Sequence, residues 1–364
     1  MKGSIVLGLN FGDEGKGLTT SFLCSEVENP IVVRFNGGHQ AGHTVVINNQ
    51  RHVFSNMGSG TLQGTPTYWS QFCTFHPVGF VSECVELKTG KGISLPRIFI
   101  NPLCPVTTPY DIAWNRIREK KVGHGSVGVG FGATIERQEN YFKLHVLDLF
   151  SPDVLTGKLG SIRDYYERKF RDSFGYGYKF PEIDTEIEEF LLSIEFIKDL
   201  NLFEVSDDSC LMDRSPIFEG AQGILLDMDF GFFPNVTRSN TTSKNALSMV
   251  DCDEIYYVTR SYLTRHGAGF LPGEKELHLV NNELETNVQH EYQGNFRKAE
   301  LNIELINYAL NCDDNFSKGK KKNLVITCTD QYSIDISKLL KEIDTKFDNV
   351  YYSNGDSFSN IHKF

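Results

Sequence analysis

Near the start of the chain, Gly8-Leu9-Asn10-Phe11-Gly12-Asp13-Glu14-Gly15-Lys16-Gly17 brings glycines, acids and a lysine into one short stretch. Glycines between a strand and a helix let backbone N–H groups converge on an anion. Lys16 then adds a positive charge that can reach a phosphate. The string is not a Walker A motif. That pattern wants glycine at position 10 and Ser or Thr at 17, where Asn10 and Gly17 stand. Asp13 is the informative residue. A phosphate repels an acid in such a loop unless the acid holds a metal or moves a proton. Mg2+ suits one or two carboxylates plus phosphate oxygens, and a placed carboxylate serves as a general base. The structural alternative is a helix N-cap.

A second candidate loop is Asn36-Gly37-Gly38-His39-Gln40-Ala41-Gly42-His43-Thr44. Two histidines four apart could be a metal pair on a helix, but the glycines make a helix there a poor choice. A histidine flanked by glycine, beside a phosphate loop, is a better candidate acid. In a third stretch, Phe218-Glu219-Gly220-Ala221-Gln222-Gly223 ends a strand and Asn235-Val236-Thr237-Arg238-Ser239-Asn240-Thr241-Thr242 follows. Gln222 could read a flat heterocycle there. The hydroxyl and amide cluster serves equally as phosphate donors or as local caps.

These motifs need a rigid frame. Ser4–Leu9 and Ile31–Phe35 are compact apolar runs, and Leu18–Cys24 between them has helical character. Strand, glycine turn, helix, strand is the pattern of a parallel α/β sheet. Further strands are expected at Arg97–Ile100, Pro216–Phe218, Glu254–Thr259 and Leu324–Cys328. Helices are expected at Tyr110–Lys120, Ser161–Asp172, Asp184–Leu200, Leu301–Leu310 and Ile334–Ile343. Gly123–Gly132 reads as a loop, and so does the basic run Lys318–Lys322. No internal repeat interrupts the 364 residues, and one domain spanning 1–364 is expected.

Composition narrows the class. With 40% hydrophobic residues, the chain is neither disordered nor fibrous. A net charge of −11 speaks against an extended nucleic-acid footprint, which needs clustered positive charge. No run approaches the roughly 18 apolar residues of a membrane span. The eight cysteines are scattered without a CxxC pair, as expected for reduced thiols in a cytoplasmic protein.

With these stretches in view, the chain resembles the adenylosuccinate synthetase family, in a compact form seen in archaea and phages. The carriers are GDEGKG at 12–17, GGHQAGHT at 37–44 and FEGAQGILLD…VTRSNTT at 218–242. The resemblance implies an α/β domain around a large, mostly parallel twisted sheet with inserted loops, similar to P-loop NTPases, and a homodimer. It implies a ligase that joins L-aspartate to C6 of inosine monophosphate, with GTP as co-substrate (ATP the alternative) and one Mg2+ per active site.

Site roles follow from the same resemblance. Asp13 would take the purine N1 proton and, with the Gly42 carbonyl, hold Mg2+. Lys16 would hold the γ-phosphate within Gly12, Gly15, Gly17 and Thr44, and His43 would act at the transferring phosphoryl group and O6. Gln222 and Thr237 would face the purine nucleotide, with Gln40 and Ser126 near its phosphate, while Arg137 would reach across the dimer to the partner's substrate phosphate. Asp330, Ser353 and Gly355 would read guanine, and Arg297 and Lys298 would bind aspartate.

Four positions depart from the family pattern. Gln40 stands for Asn, and Cys328 for a lysine that packs on the base. The loop Gly123-His124-Gly125-Ser126 lacks a phosphate-contacting threonine, for which Ser126 would substitute. Asn295 stands for an arginine in the aspartate loop Tyr292–Lys298, where Arg260, Arg265 and the turn 266–269 would compensate. A second reading keeps the chemistry and changes the purine. Phage members act on dGMP with ATP or GTP and make the succinyl precursor of 2-aminoadenine. They often carry a smaller residue where this chain keeps Asp13.

Overall fold

The computed structural model describes residues 3–280 and 294–364, apart from 124 and 176. Its strands in chain order are β1 (Ser4–Gly8), β2 (Pro30–Arg34), β3 (His43–Ile47), β4 (Gln50–Phe54), β5 (Thr67–Trp69), β6 (Ile98–Ile100) and β7 (Glu204–Val205). They continue with β8 (Ser215–Glu219), β9 (Glu254–Arg260), β10 (Tyr262–His266), β11 (Phe296–Glu300), β12 (Lys321–Thr327), β13 (Asn349–Ser353) and β14 (Ile361–Lys363). Ten of them form one sheet in the order β14-β13-β12-β9-β1-β8-β2-β5-β6-β7. Its pairs are parallel except for β14 at the edge.

Burial explains the strand sequences. Every residue of β1 is buried, as are Ile31, Val32, Val33 and Arg34 of β2. Strands covered on both faces need continuous apolar runs rather than alternation. Helix α1 (Lys16–Glu26) packs over β1, β2 and β8. A second apolar cluster gathers under α2 (Pro77–Val85), α3 (Pro109–Val122), α4 (Phe131–Glu139), α5 (Pro152–Phe174) and α6 (Asp184–Leu200). Helices α7 (Lys244–Met249), α8 (Ile303–Ser317) and α9 (Ile336–Glu342) complete the described set.

The expected strands and helices lie where the residue patterns put them, with three adjustments. Helix α5 starts at Pro152, well before Ser161, because a proline at the first helical position is preset for helix. Helix α4 begins inside the expected Gly123–Gly132 loop, at Phe131. Lys321 and Lys322 belong to β12 rather than to a solvated loop. Lys322 pairs with Asp314 and Lys320 with Asp251, so neighbouring acids neutralise the run. Two hairpins, β3–β4 and β10–β11, lie outside the main sheet and were not legible as strands.

Candidate active site

The three motifs meet at the carboxyl ends of parallel strands around β1, which lies between β8 and β9. Ligands of open α/β sheets bind at that edge. The glycine loop after β1 follows an unusual backbone path, with positive φ at Gly12, Asp13 and Gly15. Inside it, Glu14 turns inward and Oε1 accepts from the Asn10 N–H at 2.6 Å. Glycine at 8 makes this possible, since a Cβ there would lie 2.1 Å from Glu14 Oε2. Glu14 Oε2 is buried without a hydrogen-bond partner among the described residues. Burial pushes the Glu14 carboxyl up to about 7, against the pull of Lys16. Lys16 opens α1 and is buried itself; burial lowers its pKa, opposed by Glu14, Asp13 and Glu219. A phosphate entering here would give Lys16 a further anionic partner.

The second and third motifs are tied together through Asn36. Its Nδ2 donates to the Ala221 carbonyl at 2.9 Å, and its Oδ1 accepts from the Ala221 N–H at 2.8 Å. Gln222 adopts a left-handed φ of 56°. Its Oε1 is buried and has no partner among the described residues, as is true of both amide atoms of Gln40. Such atoms cost free energy unless a ligand satisfies them.

His43 opens β3, and its Nδ1 lies 2.9 Å from Glu219 Oε1 at the end of β8. The Ser59 hydroxyl and N–H also donate to Glu219. Burial would raise the Glu219 pKa, but His43, Arg34 and Ser59 outweigh it and bring the carboxyl down to about 2. Burial lowers the His43 pKa, with Glu219 opposing. The carboxylate therefore selects Nδ1–H in the neutral ring. Donation from Nε2 requires the doubly protonated imidazolium, which Glu219 favours. Sequence reasoning missed Glu219 as a partner of His43. The one signal was its acid at a strand end, next to the Gly-Ala-Gln turn.

These groups open on a cavity of about 770 Å³. Gly12, Asp13, Gly15, Lys16, Gly17, Gln40, Gly42, His43, Thr44, Ser126, Gln222 and Thr237 all line it. Asp13 is partly exposed, with Oδ2 at 4.0 Å from His266 Nε2. Its backbone carbonyl accepts from Arg260. In the hydroxyl cluster capping prevails beyond Thr237: Asp227 accepts from the Thr241 N–H, and Asp313 from the Ser243 N–H and hydroxyl.

Other expected residues lie elsewhere. Arg137 is fully buried: Nε and Nη2 pair with Asp111, and the remaining donation goes to the Val106 and Phe142 carbonyls. With its guanidinium engaged inside the fold, it does not extend to a partner's phosphate. Arg297 binds Glu274 and the Gly267 and Gly269 carbonyls, and so braces its own hairpin. Neither it nor Lys298 reaches the cavity wall, which Arg260, Arg265 and His266 form instead. The Ser126 hydroxyl donates to Glu119 at 2.8 Å and accepts from Asn115 at 3.0 Å, so it is held rather than offered. Asp330 is exposed on the turn after β12, and the neighbouring Thr329 N–H donates to the Ser353 carbonyl at 3.1 Å. The Ser353 hydroxyl closes on the Gly355 carbonyl at 2.7 Å. Thr327 Oγ1 donates to the Glu14 carbonyl at 2.9 Å, which sets this turn beside the glycine loop. Tyr292, Gln293 and His124 lie outside the described residues.

No group of three or more His, Cys, Asp or Glu side chains could hold a metal among the described residues. A metal at Asp13 would take most of its ligands from phosphate oxygens and water. That donor set, one carboxylate and a backbone carbonyl, fits Mg2+ rather than zinc.

Fold and site together define an α/β protein with a glycine-rich loop at the end of its central parallel strand. The chain belongs to the adenylosuccinate synthetase family, whose model, described as "Adenylosuccinate synthetase", matches residues 5–298. It is 36% identical over 281 residues to the adenylosuccinate synthetase of Xylella fastidiosa strain M12, covering 74% of this chain. It is 33% identical over 290 residues to that of Legionella pneumophila strain Lens, covering 75% of this chain. The matches span 64% and 65% of those relatives' lengths. Among solved structures, fully ligated adenylosuccinate synthetase from Plasmodium falciparum superposes with TM-score 0.79 at 18% identity, over 99% of both chains. The succinoaminodeoxyadenylate synthetase PurZ of cyanophage S-2L, bound to dGMP and to dATP as energy donor, superposes with TM-score 0.65 at 15% identity, over 100% of this chain and 95% of that one.

Proposed function

We propose that the protein joins L-aspartate to C6 of inosine monophosphate, using GTP and passing through a 6-phosphoryl intermediate. The observation that carries this reading is the convergence of Asp13, Lys16, Gln222 and His43 on one cavity, with Glu219 behind His43. Asp13 takes the N1 proton, so that O6 carries the charge needed to attack the γ-phosphorus. The O6–P bond forms as the bond to the β-phosphate oxygen breaks and GDP leaves. The aspartate amine then adds at C6, and O6 departs with the phosphate. An amide-like oxygen leaves poorly until it is phosphorylated.

Lys16 neutralises charge on the transferring phosphoryl group, and His43 donates to it once protonated. Mg2+ held by Asp13 and the Gly42 carbonyl would add Lewis-acid stabilisation of the triphosphate. Gln222 and Gln40 supply unpartnered amide atoms for the purine nucleotide. Asp330 would accept from guanine N1 and N2. The unpaired state of all eight cysteines supports a reducing, cytoplasmic setting.

The test is a mass spectrum of products from inosine monophosphate, dGMP, GTP, ATP, Mg2+ and aspartate. A product one succinyl-amino substitution heavier than the inosine nucleotide supports the proposal. Phosphate release with dGMP alone would move the substrate to the aminated purine, and no release with any monophosphate would refute the ligase reading.

A further inference from the structure

Four arginines line the cavity: Arg118, Arg238, Arg260 and Arg265. Two of them brace the backbone. Arg265 donates to the Ala268, Phe270 and Asn235 carbonyls and lies over the Phe11 ring. Arg260 donates to the Asp13 carbonyl and the Tyr262 hydroxyl. Drawing either away would break several of these hydrogen bonds at once.

Arg118 and Arg238 are held differently. Arg118 Nη1 lies 3.0 Å from Glu136 Oε2, and Arg238 Nη2 lies 3.9 Å from that same oxygen. Arg238 Nη1 also pairs with Glu139 Oε2 at 2.9 Å. Both arginines are nearly half exposed, at 47% and 42%. Pairs this exposed contribute little to stability and exchange readily. Lys169 reaches Glu136 as well, so three cations share Glu136 and Glu139. The two arginines sit beside residues already in the site. Arg238 follows Thr237 directly, and Arg118 precedes Glu119, whose carboxylate accepts from Gly125 N–H and the Ser126 hydroxyl.

We infer that Arg118 and Arg238 of this same chain form the subsite for the 5′-phosphate of the purine monophosphate. The inference rests on the proposed function and assigns in-chain arginines to its substrate. A phosphate dianion displaces Glu136 as the shared counter-ion of the two guanidinium groups. The exchange is favourable because phosphate carries more charge and accepts from two planar forks at once. Arg137, engaged inside the fold, leaves this task to the rim pair.

The test titrates the full chain with inosine monophosphate, inosine and GTP by calorimetry, then repeats it with Arg118→Gln, Arg238→Gln and the double variant. Each single change is expected to weaken monophosphate binding about 10-fold or more, and the double variant further, because charged hydrogen bonds are the strong ones. Binding of inosine and GTP should stay at the parent level, and KM for the monophosphate should rise with kcat nearly preserved. Undiminished monophosphate affinity in the double variant overturns the inference. So does an equal loss for inosine, which would mark a structural role. Should the double variant not fold, the single variants decide. A parent that binds GTP but no purine monophosphate refutes the proposed function itself, and the subsite with it.

Discussion

His43 Nδ1 lies 2.9 Å from Glu219 Oε1, so the carboxylate that closes β8 governs the proton on the imidazole that opens β3. Glu219→Gln keeps the shape and removes the charge that favours the imidazolium. We expect kcat to fall on the order of 10²-fold, with KM for the purine nucleotide within a few-fold of the parent. Arg34, fully buried beside Glu219, would lose its counter-charge, so urea unfolding should show a loss of about 3 kcal/mol. Unchanged kcat would show that the pair is structural only.

The two histidines of the second loop should separate cleanly. His43→Asn is expected to lower kcat by about 10²–10³, as for loss of one donor at a developing charge. His39 contacts Asn56 and stacks near His76, away from the cavity wall. His39→Asn should leave kcat within a few-fold in the same steady-state assay. The reverse order would move the catalytic role to His39.

Asp330 is exposed beside the Ser353–Gly355 turn; its carboxylate accepts from Gln331 Nε2 at 2.8 Å and keeps lone pairs for a guanine edge. Asp330→Ala should raise KM for GTP about 10- to 100-fold, the equivalent of one or two charged hydrogen bonds. kcat at saturating GTP should hold, and the preference for GTP over ATP should shrink. An unaltered GTP/ATP ratio would remove Asp330 from the base-reading role.

Acid stability has a specific source in His76. Its ring caps α2 by accepting from the Gly79 N–H at 3.2 Å. Burial, with His39 and Arg116 nearby, lowers its pKa to about 3. Between the ordinary value of 6.5 and about 3, the unfolded chain binds the extra proton. His76 therefore stabilises fully above that window and loses its contribution as pH falls through it. His76→Asn keeps a capping acceptor and removes the titration. Variant and parent should melt alike at pH 8, with the variant ahead by up to about 2 kcal/mol at pH 5. A gap that does not grow on acidification would contradict this.

Residue types placed the local elements well where these depend on spacing along the chain. The strand before Gly12 and the helix after Lys16 follow from an apolar run broken by glycines, and both stand where that pattern puts them. The Asp184–Leu200 helix is equally legible from its apolar spacing. Pairings between distant segments were not legible. Glu219 closes β8 beside Arg34 of β2, and His43 comes back to it from the hairpin that follows β2, a meeting that no local pattern encodes. Arg137 looked available because position in a motif does not reveal that Asp111, also buried, is its partner. The short hairpin strands β10 and β11 carry charged residues at Arg265, Arg297 and Lys298, so hydrophobic periodicity passes over them.

The central claim is that O6 of the purine is phosphorylated before the amine replaces it. Inosine monophosphate labelled with ¹⁸O at C6 tests it directly, with GTP, Mg2+ and aspartate, followed by mass analysis of the inorganic phosphate and GDP. The account predicts one ¹⁸O in each phosphate released and none in GDP. Unlabelled phosphate, with product formed, would contradict it.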